Sequence, residues 1–300
     1  DSPEYEDEYE LADFYGDEDF VSIATGTRKP IHKAPSVATV ITAKDIKLLG
    51  ANSVFEVLET VTGIHVYPSR INRMNASFSI RGIHTAQNPQ TLVLVNGINV
   101  HQEFSGARWN QFNIGIELIE RIEVIRGPGS AVHGADAFSG VINIITKSAA
   151  ELNGVHLGAR LGSQQTENYW LQYGTQWTND WQLAFNFEYF NRDSDKDRIV
   201  ESDFQSTFDG LFGTNASLAP SYLEDRMEVY NYNLHINNNQ WHIGLDGYIK
   251  RDSGVGAGAA QTIDHQGKDS VDSYLFSLAY KNSSWLTNWS FEGQLSYFYY

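Results

Sequence analysis

The residues most capable of chemistry lie in the second half of the chain. Asp193, Asp195, Asp197, Glu201 and Asp203 alternate through a polar stretch that could offer oxygens to Ca2+, but no EF-hand glycine and closing glutamate follow. A solvated acidic loop is the plainer reading. His235 and His242 fall on different predicted strands across a turn, and neither has a metal-ligand spacing such as H-E-x-x-H. Each reads as a polar residue on the wet face of a strand. Gly127 to Gly134, GPGSAVHG, has the glycines of a phosphate loop without its Lys-Ser/Thr ending, and reads as a turn-rich segment. The chain has no Cys, which removes thiolate metal sites and disulfides. The sequence therefore predicts no catalytic residue, no metal site and no bound cofactor.

A different chemistry attaches to Arg81, Glu120, Arg121, Glu123 and Arg126, which lie on or beside apolar strands. An unpaired charge there is costly, so each needs a partner. Charge is also unevenly spread. Residues 1–20 hold ten acids and no base, residues 21–150 eight acids and twelve bases, and residues 151–300 nineteen acids and nine bases. Nucleic acid, whose phosphates favour clustered Lys and Arg, is not the expected partner.

The elements that must hold these residues differ between the two halves. Residues 1–25 form an acidic tail whose self-repelling composition predicts mobility. The opening DSPEYEDEYE, with no initiator Met, reads as a mature or trimmed terminus. Residues 26–150 alternate short helical and strand signals. Val37 to Ile41 reads as a strand. Thr42 with Asp45 caps a helix ending near Gly50, and Ser53 with Glu56 forms a capping box for a helix running to Gly63. Ile64 to Tyr67, Phe78 to Arg81, Thr91 to Val95, Arg121 to Ile125 and Val141 to Thr146 read as strands, with Asn96-Gly97 as a hairpin turn. This is an α+β module.

From residue 151 the pattern becomes strict alternation, as in Trp181, Leu183, Phe185, Phe187 and Tyr189 against Gln182, Ala184, Asn186 and Glu188. Period two with one greasy and one wet face is the strand signature. Seven strands are predicted, over 154–163, 167–177, 181–191, 227–237, 240–250, 271–281 and 287–299. Short turns alternate with long polar connections at 193–225 and 252–270, which favours a membrane β-barrel over a soluble sandwich. No apolar run is long enough for a membrane-spanning helix, but barrel strands need only about 10 alternating residues. Seven strands leave open edges, so the chain is expected to be the N-terminal part of a longer protein or to be completed by a further component.

The phrases IERIEVIRGP (119–128), Gly134-Ala135 and SGVINIITK (139–147), with ITAKDI, SIRG and LVLVNG before them, resemble the plug domain of TonB-dependent outer-membrane receptors. The resemblance implies an α+β plug domain inside a transmembrane antiparallel β-barrel of about 22 strands. It implies import of a scarce ligand across the Gram-negative outer membrane, a ferric siderophore first, haem or cobalamin as alternatives. A passive pore or an adhesin is the competing class, and an outer-membrane hydrolase the third. The implied partners are TonB with its inner-membrane motor complex, outer-membrane lipid and the small ligand. Asp19, Phe20, Val21, Ser22, Ile23, Ala24 and Thr25 resemble a TonB box, which pairs with the partner by strand addition; the other reading is the plug's first strand. Ligand contact would come from Tyr67, Arg70 and Arg73 in one loop and Gln102, Phe104, Arg108 and Trp109 in another, where Arg and aromatics could hold an anionic, ring-bearing molecule. Ordinary loop decoration is the competing reading for each. Arg81 and Arg126 sit at the family's SIRG and VIRG positions, which implies ion pairs to the barrel wall; pairing within the plug, for example Arg126 with Glu123, is the other reading.

Overall fold

The computed structural model describes residues 20–21, 29–30, 37–69, 76–85, 87–101, 106, 113–129, 133–177, 180–258, 260–286 and 289–300. Two compact units emerge. One comprises residues 1–65, 78–108 and 119–146, the other residues 66–77, 109–118 and 147–300.

The first unit contains β1 (Phe20–Val21), β2 (Lys29–Pro30), β3 (Val37–Thr42), α1 (Ala43–Leu49) and α2 (Val54–Glu59). After them come β4 (Ile64–Pro68) and β5 (Ala76–Ile80), which form a two-stranded sheet and run partly into the second unit. Then follow β6 (Thr91–Val95), β7 (Ile98–Asn99), β8 (Ile119–Arg126) and β9 (Gly140–Thr146). Its main sheet has the order β3-β8-β9-β6-β7, antiparallel except for β6 beside β9. A parallel strand is covered on both faces, which is why TLVLV is an unbroken apolar run with every residue buried. Asn96 and Gly97 both take positive φ, 50° and 80°, and close the β6–β7 hairpin in two residues. Val54, Val57 and Leu58 of α2 are fully buried, as are Ile122, Val124, Val141 and Ile142 of the sheet.

Both helix starts lie where their caps predict. Thr42 Oγ1 accepts from Asp45 N at 3.2 Å while the Asp45 carboxylate accepts from Thr42 N at 2.9 Å, and Gly50 ends α1 in the left-handed region. The second start differs in detail. Ser53 Oγ accepts from Glu56 N, but the Glu56 carboxylate reaches one residue further back, to Asn52 N at 2.8 Å. Nor does α2 reach Gly63. The amides of Thr60, Val61 and Ile64 each bond three residues back, and Thr60 Oγ1 adds a bond to Val57 O, tightening the chain out of α geometry.

The second unit opens with α3 (Ala149–Leu152), β10 (Gly154–Gly162), β11 (Thr166–Gln176) and β12 (Gln182–Arg192). A long connection then carries β13 (Ile199–Val200), α4 (Phe204–Phe212) and β14 (Ser221–Tyr222). The sheet resumes with β15 (Met227–Asn237), β16 (Trp241–Gly254), β17 (Lys268–Leu286) and β18 (Trp289–Tyr299). All seven long strands pair antiparallel in sequence order. Each begins and ends within a few residues of its predicted span, apart from β17, which runs further at both ends. The helix and mini-hairpin within residues 193–225 were not expected from its polarity.

Register aligns the apolar positions into continuous rows. Leu157, Leu171, Phe187 and Tyr232 form one, and Leu183, Ile236, Ile243, Leu278 and Leu295 another. These rows are the open ones, with Leu157 74%, Tyr297 64% and Leu295 62% exposed, whereas Asn186 and Asn233 on the opposite face are 0% and 1% exposed. A water-soluble sandwich has the reverse distribution, its aromatic faces packed against each other. A sheet with its greasy side out is matched to lipid. No described helix is long and apolar enough to cross a membrane.

Candidate functional site

On an antiparallel sheet, residues directly opposite share a face, and the wet face of β10 to β12 carries Arg160, Asn168, Trp170, Gln172, Asn186 and Glu188. Their side chains join into a ladder. Gln172 Nε2 donates to Asn186 Oδ1, and Asn186 Nδ2 to Asn233 Oδ1, both at 2.7 Å. Asn168 Nδ2 donates to Glu188 Oε1 at 2.8 Å. The links satisfy much of the ladder's capacity, while Asn168 Oδ1 and Glu188 Oε2 meet no partner among the described residues.

The ladder also holds a segment that arrives from outside the sheet. Gln172 Nε2 donates to Glu117 O at 2.7 Å, and Arg160 Nη2 meets the Glu117 carboxylate at 2.7 Å. Arg160 is oriented by Trp170, whose ring lies 5.7 Å away, and Gly158 gives the indole its place, since a Cβ there would fall inside the ring. Gly115 is equally constrained, because a Cβ on it would fall within the Glu188 carboxylate. Further along, α3 lies on Gly174 so closely that a Cβ would reach 2.6 Å from Ala149 O, and Ala149, Leu152 and Ala184 form a small apolar core. Residues 113–118 and 147–152 are thus fastened to the wet face by an ion pair, amide bonds and close glycine contacts.

In the first unit the charged residues of β8 find partners close by. Arg121 Nε donates to the fully buried Glu123 at 3.0 Å, and Arg121 also pairs with Glu120. Arg126 donates to Thr62 O and, at 2.8 Å, to Thr39 Oγ1, while its Nε meets no acceptor among the described residues. Arg81, held at φ 53°, lies beside it: the two side chains flank Gly63 at 3.9 and 4.0 Å from where a Cβ would stand. The aliphatic stems of two arginines therefore flank one glycine.

Of the other sequence-predicted residues, Tyr67 lies in β4 and is partly buried. Arg70, Arg73, Gln102, Phe104, Arg108 and Trp109 lie outside the described residues, as do Asp19 and Ser22 to Thr25. The backbone of Phe20 and Val21 pairs antiparallel with Pro30 and Lys29. His235 and His242, read singly from the sequence, are brought together, their rings 5.4 Å apart. Glu117, Arg160, Gln172 and Glu188 were not singled out by spacing. The available signal was that the wet face of β11 and β12 carries an acid and long amides rather than the small hydroxyls of an open polar surface.

The long connections are ordered by carboxylates. Asp203 accepts from Ser206 N at 2.8 Å, from Ser217 Oγ at 2.7 Å and, across from the β16–β17 connection, from Ile263 N at 2.9 Å. Partial burial pushes its carboxyl up, but these bonds together outweigh that and hold it below the ordinary carboxylate range. Asp209 accepts from Thr214 Oγ1 and from the amides of Ser217 and Ala216, which hold its carboxyl far below that range.

Apolar rows on one face, a polar ladder on the other and a preceding α+β unit make the fold of a plug followed by strands of an antiparallel transmembrane β-barrel. Residues 30–141 match the family described as the TonB-dependent Receptor Plug Domain. Over these residues the chain is similar to the plugs of TonB-dependent receptors, and seven long antiparallel strands follow them. It is 38% identical over 151 residues, half of this chain, to the vitamin B12 transporter BtuB of Vibrio vulnificus, of which it covers 24%. Among solved structures, the pyoverdine outer membrane receptor FpvA of Pseudomonas aeruginosa bound to pyoverdine matches 92% of this chain and 39% of its own, with TM-score 0.59 and 16% identity. A mutant ferric enterobactin receptor of the same organism, in complex with enterobactin, matches 89% and 41%, with TM-score 0.57 and 19% identity. The chain thus spans about a quarter of its curated relative and two fifths of these receptors. Glu117, which holds Arg160, lies within the matched plug residues.

Proposed function

We propose that the protein containing this chain is a TonB-driven importer rather than an enzyme, taking a scarce, bulky metal chelate across the outer membrane. The observation that carries this reading is the fastening of residues 113–118, part of the plug sequence, to the wet face of a sheet whose other face is greasy. A passive pore has no use for a plug-family segment bonded to the wet face of its strands. The domains follow as a tail at residues 1–25, a plug at 26–150 and barrel strands at 151–300. Asp19 to Thr25 serve as the TonB-pairing strand, and TonB with its motor complex supplies the work. Arg70, Arg73, Arg108, Phe104 and Trp109, with Tyr67 and Gln102, contact the ligand by charge-assisted bonds and stacking. Arg81 and Arg126, whose stems flank Gly63, are the plug cations that pair with an acid of the barrel wall.

A ferric siderophore is the first cargo, as the family resemblance implies. Cobalamin is the second, on the similarity to a vitamin B12 transporter. Cells whose only receptor is the whole protein, given radiolabelled ferric siderophores or cobalamin, decide between them. Uptake that persists after deletion of Asp19 to Thr25, or in cells lacking TonB, overturns the driven mechanism.

A further inference from the structure

The wet face of β15 to β17 carries a second cluster that the plug-seating ladder does not use. Register places His235 and Ser277 opposite Gly244, and His242 opposite Asn237. Residues two apart on a strand share a face, so His235, His242, Asp246 and Ser277 all project to the same side. Gly244 leaves a cradle between them. A Cβ on it would lie 3.0 Å from His242 Nε2 and 3.2 Å from His235 Cδ2, and would collide with Ser277 Oγ. His235 Nε2 stands 3.1 and 3.2 Å from the two carboxylate oxygens of Asp246. His242 Nε2 stands 3.2 Å from Ser277 Oγ, and its Nδ1 2.9 Å from Asn237 Oδ1. His235 is buried.

Ligand atoms around an ion with bonds of about 2.0–2.1 Å lie from about 2.9 Å apart in a square plane to about 3.3 Å apart in a tetrahedron. His235 Nε2 and Asp246 already have that spacing, so an ion can replace the proton between them without backbone movement. As the side chains stand, no three His, Asp or Glu among the described residues meet at one point. For His242 to supply a third ligand, its Nε2 must give up Ser277 and turn through the space above Gly244. Two imidazole nitrogens and one carboxylate suit borderline d-block cations, whereas Ca2+ and Mg2+ take oxygen sets.

We propose that His235, His242 and Asp246, over the cradle left by Gly244, form a binding site for a divalent transition-metal ion on the inner face of the barrel. Among divalent ions of this row Cu2+ binds such ligands most tightly. Ser277 and Asn237 position His242. The site stands on the sheet alone and is independent of which chelate the receptor imports.

The test titrates the whole receptor, purified in detergent and stripped by chelator, with Cu2+ alone, and reads it by electron paramagnetic resonance. The expected result is one Cu2+ whose spectrum carries hyperfine splitting from two imidazole nitrogens. His235→Ala/His242→Ala is expected to weaken that equivalent by more than about tenfold. Gly244→Ala/Ser277→Ala fills the cradle while removing the hydroxyl it would strike, so it is expected to weaken binding similarly with an unchanged thermal transition. His235→Gln and His242→Asn keep hydrogen-bonding capacity and serve if the alanine pair does not fold. An unaltered nitrogen-coordinated Cu2+ signal in the histidine variants, or none in the wild type, overturns the proposal.

Discussion

Replacing Gln172 by Leu tests the seating of the plug segment most directly. Gln172 is 3% exposed, and its Nε2 is the donor in two 2.7 Å bonds, one to Asn186 Oδ1 within the sheet and one to Glu117 O of the seated segment. Leucine has similar size and no donor, so both acceptors are stranded. A buried acceptor left without a partner costs about 1–3 kcal/mol. The Asn186 share weakens the sheet as a whole; the Glu117 share weakens only the closed state of residues 113–118. At about 1.4 kcal/mol per tenfold, local opening of that segment rises about 5- to 140-fold. Hydrogen exchange followed by mass spectrometry on the whole receptor reads this at two amides: Leu118 N, bonded to Gly115 O at 3.0 Å, and Lys147 N, bonded to Leu118 O at 2.9 Å. Gln176→Leu, at an exposed position of the same strand, is the control and leaves both protected. Unchanged exchange in Gln172→Leu with an intact sheet, or an equal rise in Gln176→Leu, refutes the reasoning.

Two further outcomes follow from the same contacts. The Asp203 carboxyl is held below its unfolded value, so the stability it contributes is fully present above that unfolded value, about 3.9, and is lost as pH falls through the folded one. Exchange at Ser206 N and Ile263 N is therefore expected to accelerate on acidification below about pH 4 and to be insensitive to pH, after correction for intrinsic rates, in Asp203→Asn; acceleration that begins near neutrality contradicts this. Phe78 of β5 is fully buried, and Phe78→Ala is expected to cost about 3–5 kcal/mol, read as a lower thermal transition of the plug.

Within the plug, local chemistry was legible wherever one or two residues set the backbone. Thr42 with Asp45 began α1, Gly50 ended it, and Asn96-Gly97 closed a hairpin. The end of α2 was not, because Gly63 marks where a left-handed residue is tolerated, while the three-residue bonds at Thr60 and Val61 depend on how the chain descends into β4. The connection between β12 and β15 misled for another reason. Its many acids read as solvated loop, yet Asp203 caps α4 and Asp209 accepts from amides and a hydroxyl of the residues that follow it. A carboxylate that caps and one that is hydrated have the same letter in the sequence.

By itself the sequence determined the seven strands, their greasy and wet faces and the order of the plug, because a period of two and a glycine turn are properties of neighbouring residues. Only the tertiary structure decided which wet residues meet. Glu117 and Arg160 are 43 positions apart, and His235 and Asp246 lie on different strands. Their approach is set by the register of the ladder and by glycines at 115, 158 and 244 that leave room, and no local pattern encodes either.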